Sequence, residues 1–353
     1  MKRILGCLIG ILSLAGLIIG TPVSGHTQVI KLGHPSHGDI QLPGMGLVSA
    51  AHFMKDYIET ATEGALKLEL HPRGGLGSPR AMMEQCQAGI THMFYAFTAI
   101  MVPFCPEIGA LQIPYVFKES LTAIKTIQGP FGKELADLFL KKTGMRILSW
   151  PEGSGFRMLL TKNKLVKNPA DMKGMRIRVP ENPGIFAFWS AMGAKPVTIT
   201  LSEMYTGLQT GVADSLEFEL VSTEEFKLFE VVRNATMTNH SWNVHPLLIN
   251  EKFFRSLPPK HQMVIMRAAE MGEIVHNGYN KPSELLVIQN AIKGGAKFHY
   301  PSDAETNQFK EIGQKAYLEA SAKSISKEWV DKMFSAASKT DAEIVKEYQS
   351  RIQ

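Results

Sequence analysis

Cysteine is scarce in this chain: three in 353 residues, at positions 7, 86 and 105. A disulfide-stapled scaffold is thereby excluded, since a chain this long can build its own core. No H-E-x-x-H occurs, and His, Cys and carboxylates do not cluster at ligand spacing, so no metal site is expected. His240 and His245 lie an odd number of positions apart, on opposite faces of a strand or turn, and read as hydrogen-bonded structural histidines. The stretch "GGLGS" lacks the third glycine of a dinucleotide fingerprint, and there is no phosphate-binding loop, so no cofactor is expected. Gly153-Ser154-Gly155 lacks the spacing of a nucleophile elbow and reads as a tight turn between two strands. Charge of one sign is also lacking. Thirty-eight Lys and Arg against 33 Asp and Glu give +5, and removing Lys2 and Arg3 leaves +3. With no basic run carrying interleaved aromatics, a nucleic-acid partner is not expected.

Long apolar runs are missing after the first 25 residues. Those residues have the layout of a secretory leader: Lys2 and Arg3, an uncharged apolar stretch from Ile4 to Gly20, then the small residues Val23-Ser24-Gly25. The competing reading, an uncleaved anchor, needs about 20 apolar residues and fewer glycines. The leader is therefore assigned to 1–25, and the exported chain to 26–353. Export admits a Cys86–Cys105 disulfide, but Cys86 lies in an apolar helical pattern, and two buried free thiols are preferred. A chain of this length points to two lobes.

What is present is an alternation of strands and helices. Val29–Leu32 reads as a strand. Leu47, Ala50, Ala51, Met54 and Ile58 recur at helical spacing until Gly64. Leu66–Leu70, a helix over Pro79–Ala88 and a strand at Met93–Tyr95 follow. The rhythm returns with strands at Arg157–Thr161 and Met175–Val179. Asn182 caps a helix with Pro183 in its first turn, and Gly193 closes it. Thr200 with Glu203 forms a capping box for the next helix, and Gly211 stops it. Val212–Leu216 is a further strand. Beyond residue 250 the chain turns helical: 258–277, 281–292, a helix capped by Ser302 with Glu305, and a terminal helix. The expected class is α/β with parallel pairing.

Two arginines stand out. Arg157 begins a strand, and Arg178 ends one beside the Asn182-Pro183 helix start. A helix N-terminus favours anions, and a guanidinium matches a carboxylate fork. The alternative is a surface arginine on an edge strand.

Several stretches resemble one family, the solute-binding proteins of tripartite ATP-independent periplasmic (TRAP) transporters. "GGLGSPRAMMEQCQAGITHM" is similar to its loop–helix–strand signature. "DMKGMRIRVPENPGIFAFWSAMGAKPVTITLSEMYTGLQTGVADSLE" resembles its central signature almost position for position. "MTNHSWNVHPLLINEKFFRSLP" looks like the segment after it. The resemblance implies a two-lobed periplasmic binding protein fold, with a ligand cleft between the lobes and long bracing helices. It places crossings near residues 154, 243 and 283. Lobe I is then 26–154 with 244–283, lobe II is 155–243 with 284–330, and 331–353 is a C-terminal helix.

By position, the resemblance makes Arg178 the partner of a ligand carboxylate, Arg157 a second cleft arginine and Arg176 a neighbour that does not touch ligand. Phe218 replaces a common polar asparagine, Phe97 replaces a polar group, and Leu201 packs against ligand. Pro35 and Pro79 take positions that are polar in sugar-acid binders. Trp150 and Phe186 extend the apolar wall, and Glu217 is the one cleft carboxylate. The expected ligand is an organic acid with an apolar or aromatic body, held by a monomeric, non-enzymatic periplasmic protein and delivered to the membrane permease subunits of the transporter. Two rival readings are a periplasmic sensor that docks on a signalling receptor, and a periplasmic enzyme using Glu217 as general base.

Overall fold

The computed structural model describes residues 27–36 and 46–352. The leader assigned to 1–25 lies outside them. Eleven strands are present among the described residues: β1 Gln28–Gly33, β2 Leu66–His71, β3 Met93–Tyr95, β4 Met145–Ser149, β5 Glu152–Thr161, β6 Arg176–Val179, β7 Lys195–Thr198, β8 Ser215–Glu219, β9 Asn234–Val244, β10 Leu247–Asn250 and β11 Lys297–His299. They form two sheets, ordered β2-β1-β3-β10-β4 and β11-β9-β5-β8-β6-β7. In the first sheet β1 pairs parallel with β2 and β3, while β10 runs antiparallel between β3 and β4. In the second, β6 is parallel to β7 and β8, and β5 is antiparallel to β8 and β9.

Each sheet centres one lobe, because helices bury its faces. On the first, the helix Gly46–Ala61 turns inward Leu47, Ala51, Met54 and Ile58, the positions its period assigns, against Ile30, Leu68, Ile265 and Ala269. On the second, the helix Pro183–Ala191 packs against Asp303–Ser321 through Phe188 and Phe309. Gly313 permits that approach: a Cβ there would meet the Phe188 ring at 2.2 Å. The chain passes between sheets from Ser149 to Glu152 and from Val244 to Leu247, and again within one 35-residue helix, Pro259–Lys293. That helix acts as a spine. Glu273 accepts from the Trp150 amide at 2.9 Å, Asn277 from the Glu152 amide at 2.8 Å, and His276 and Asn280 both bind the Glu152 carbonyl.

The spine corrects the expectation of separate helices at 258–277 and 281–292. Pro282 removes one rung of the ladder, but hydrogen bonds from residues 273 to 280 hold the axis, and Ser283 Oγ donates to the Tyr279 carbonyl at 2.6 Å. Gly153-Ser154-Gly155 lies within β5 as a bulge, with Ser154 at φ 65° and a register shift toward β9, rather than in a turn. The strand expected at Val212–Leu216 starts at Ser215, because the Asp214 carboxylate instead accepts from the Arg176 amide. Thr200 and Glu203 form no capping box. The hydroxyl donates to the Glu203 carboxylate at 2.7 Å, and the helix begins at Met204. The terminal helix starts at Lys327, and its Asp341 is bound by Lys118 and Thr122 of the first lobe. Cys86 and Cys105 are both buried and unpaired.

Candidate functional site

The two arginines of β6 share a strand face but not an environment. Arg176, at the open end, is about half exposed and pairs with Asp214 at 3.2 Å. Arg178, two residues on, is 3% exposed. Its Nε donates to the Ile199 carbonyl at 2.9 Å, which fixes the plane of the guanidinium. No carboxylate among the described residues forms an ion pair with it. Burial, then the neighbouring Arg157, pull its pKa down to about 10. It is a cation in need of an anion.

Arg157 is differently placed. It lies opposite Glu219 in the β5–β8 register and diagonal to Glu217. Its Nε is 2.6 Å from the Glu217 carboxylate and its Nη1 3.4 Å from Glu219, and Nη2 donates to the Glu217 carbonyl. The guanidinium also stacks over the Phe218 ring at 5.6 Å. Burial would lower its pKa, but the two carboxylates outweigh that and raise it. Burial likewise pushes Glu217 up, but Arg157 and then His240 hold it below its ordinary value. For Glu219 burial prevails, reinforced by Glu217, and its pKa is raised despite Arg157.

A small inner cavity of about 40 Å³ lies between the lobes. Arg157, Arg178, Phe97, Phe218 and Leu201 all line it, together with Pro35. It adjoins an outer recess of about 660 Å³, with which it shares Pro35, Leu201 and Phe226, and which Pro79 also lines. The outer recess is larger but carries its charges at its rim; the buried cation is in the inner cavity. Phe218 meets Phe226 edge-on at 5.8 Å, so one wall is aromatic.

Three expected site residues lie elsewhere. Glu217 sits behind Arg157, fully buried, and its carboxylate is engaged by Arg157 and by His240 at 3.2 Å. Trp150 belongs to the core at the lobe crossing, with its amide on Glu273. Phe186 is 44% exposed on the outer face of its helix, while Trp189 is fully buried against Phe188 and His240. Nor is the Asn182 helix start open to an anion. Its side-chain oxygen accepts from the amides of Gly184 and Ile185, and its amide binds Gln112 across the lobes at 2.8 Å.

Other cavity residues escaped the sequence reading. Glu219 and Asn243 form a pair at 2.7 Å, and both line the cavity with His245, Ser222 and Glu225. His245, expected to be a hydrogen-bonded structural histidine, lines the cavity and packs against His276 at 6.1 Å. Burial, then His276, hold it neutral with a pKa of about 3. The spacing from His240 carried no usable signal, because His245 lies just beyond the end of β9, where strand alternation no longer applies.

Such a fold, two α/β lobes around a cleft with a buried unpaired cation, defines a solute-binding protein of the periplasmic type. Residues 42–324 match the family model described as DctP, bacterial extracellular solute-binding protein, family 7, and the chain belongs to that family. It is 30% identical over 221 residues to the 2,3-diketo-L-gulonate-binding periplasmic protein YiaO of Escherichia coli (strain K12), covering 63% of this chain and 67% of that one. It is 28% identical over 314 residues to the C4-dicarboxylate-binding periplasmic protein DctP of Rhodobacter capsulatus, covering 88% and 91%. Among solved structures, it is similar in fold to the sugar acid binding protein DctPAm from Advenella mimigardefordensis in complex with galactonate, at a TM-score of 0.83 and 23% identity, over 89% and 98% of the two chains.

Proposed function

We propose that this protein captures an organic acid in the periplasm through its carboxylate and presents it to the permease subunits of a TRAP transporter. The observation that carries the proposal is Arg178: buried, oriented by Ile199 and without an ion pair among the described residues. A carboxylate there supplies the missing charge. Arg157 adds positive potential rather than free donors, because Glu217 and Glu219 already engage it. Phe97, Phe218 and Leu201 favour an apolar or aromatic body over a polyhydroxylated one. The relatives named for sugar acids and dicarboxylates support the carboxylate and leave the body to these side chains.

The energetics are sufficient. A micromolar ligand needs about −8 kcal/mol net. Two charge-assisted hydrogen bonds at about 1.5–3 kcal/mol each and a ring buried at roughly 25 cal/mol per Å² reach that range. Ligand bridging the lobes favours hinge closure. The moving bodies are 26–154 with 244–283, and 155–243 with 284–330. Sheet membership supports this division to within a few residues, since β5 of the second sheet begins at Glu152 and β9 ends at Val244, and the C-terminal helix packs on the first body.

The test is Arg178→Ala, with binding measured by calorimetry and ligand-induced thermal stabilisation across a panel of organic acids. Affinity falls at least about 100-fold, the scale of losing two charge-assisted bonds, while the melting curve without ligand keeps its cooperativity. Retention of affinity within about threefold, a change below 1 kcal/mol, refutes the assignment.

A further inference from the structure

Resting on the carboxylate-binding reading above, we infer that the inner cavity selects monocarboxylates against dicarboxylates, and that Glu219 enforces the selection. β8 places Glu217 and Glu219 two residues apart, so both reach across to Arg157, at 2.6 and 3.4 Å. One guanidinium thus faces two carboxylates, and the second of them lines the cavity. Asn243 donates to Glu219 Oε1 at 2.7 Å and fixes it there.

A ligand's first carboxylate neutralises Arg178. A second one, within a short ligand's reach, finds no free cation among the described residues that line the inner cavity. Arg157 is engaged, and His245 is the other basic side chain of the inner cavity, held neutral by burial. What the second carboxylate meets is the wall of Glu219. Glu219 has the Arg157 guanidinium at 3.4 Å and accepts from the Asn243 amide at 2.7 Å, partners that suit its charged form against the pull of burial, and like charges brought together away from water repel strongly. An amide or hydroxyl at the same place donates a hydrogen bond to Glu219 instead. The selection therefore works by repulsion of the wrong ligand as much as by attraction of the right one. The outer recess carries Arg73 and Lys227, so the argument applies to acids short enough that the second carboxylate stays beside Glu219.

The experiment uses matched pairs that differ by one charge: succinate against succinamate for an aliphatic body, and terephthalate against 4-carbamoylbenzoate for an aromatic one. Dissociation constants are measured by calorimetry on the full exported protein, on Glu219→Gln and on Arg178→Ala. For the wild type, the monoamide binds tighter than its diacid by about 100-fold, the scale of one poorly screened like-charge contact. Glu219→Gln is isosteric, and the gap closes to within about threefold, below 1 kcal/mol. Arg178→Ala loses the monoamide, which tests the carboxylate reading separately. Equal wild-type affinity for a diacid and its monoamide overturns the inference while that reading stands. A gap that persists in Glu219→Gln overturns the role of Glu219. The wild-type ratio needs no variant to fold, and failure of all four acids to bind wild type overturns both the reading and the inference.

Discussion

Acid should unfold this protein through its buried histidines before its carboxylates titrate. His34 and His276 are 1% and 2% exposed. Burial pushes each pKa down to about 4, helped at His34 by His52. His276 shows the geometry of the problem: Nε2 donates to the Glu152 carbonyl at 2.5 Å, and Nδ1 has no partner among the described residues. Protonation puts a charge on that unpartnered nitrogen. In the unfolded chain both rings take up a proton below about pH 6.5. The unfolded state then binds more protons, so stability falls as pH falls. Each histidine contributes about 1.4 kcal/mol per pH unit between 6.5 and 4, which makes about 2 kcal/mol each, and about 4 kcal/mol together, by pH 5. His245 acts in the same direction, and the raised Glu219 opposes by up to one proton. Carboxylates whose pKa is depressed, such as Glu217, contribute only below their ordinary value. Urea unfolding at pH 7 and pH 5, in the wild type and in His276→Gln, reads the effect directly. The glutamine keeps a donor for Glu152 and should recover about 2 kcal/mol of the loss. Stability constant to within about 1 kcal/mol over that range refutes the reasoning.

Asn182→Ala removes the cap of the Pro183 helix and its contact to Gln112. It should lower stability by about 1–2 kcal/mol in chemical denaturation. Cys86 and Cys105 should react with a thiol reagent only after unfolding, since burial pushes both thiols up to about 12.

Much of this was readable before the fold was known, where local chemistry decides. The caps at Asn182 and Ser302 and the helix Pro79–Ala88 fall where their residues place them, because capping bonds span three or four positions. Arg178 lines the inner cavity, but the helix start that drew attention to it is sealed by Asn182. The commitment of Arg157 to two carboxylates was not readable, since it depends on the antiparallel register that sets it opposite Glu219. Trp150 and Phe186 were placed in the cleft on their aromatic character alone. Which way an aromatic faces is settled by the helix or crossing that carries it, and here one faces the core and the other solvent. Pro282 broke the helical pattern in sequence; contacts to the crossing segment, far away in the chain, kept the helix whole.

The position of β10 sets an order on biosynthesis. It lies between β3 and β4, joined to both, yet it is made roughly 100 residues after β4, which at about 5–20 residues per second takes some seconds. Until then β3 and β4 each expose an open edge, a template for pairing with other chains. The amino-terminal lobe is thus the first to be translated and among the last to be completed. A chain of this kind must keep those edges away from other chains until β10 has been made.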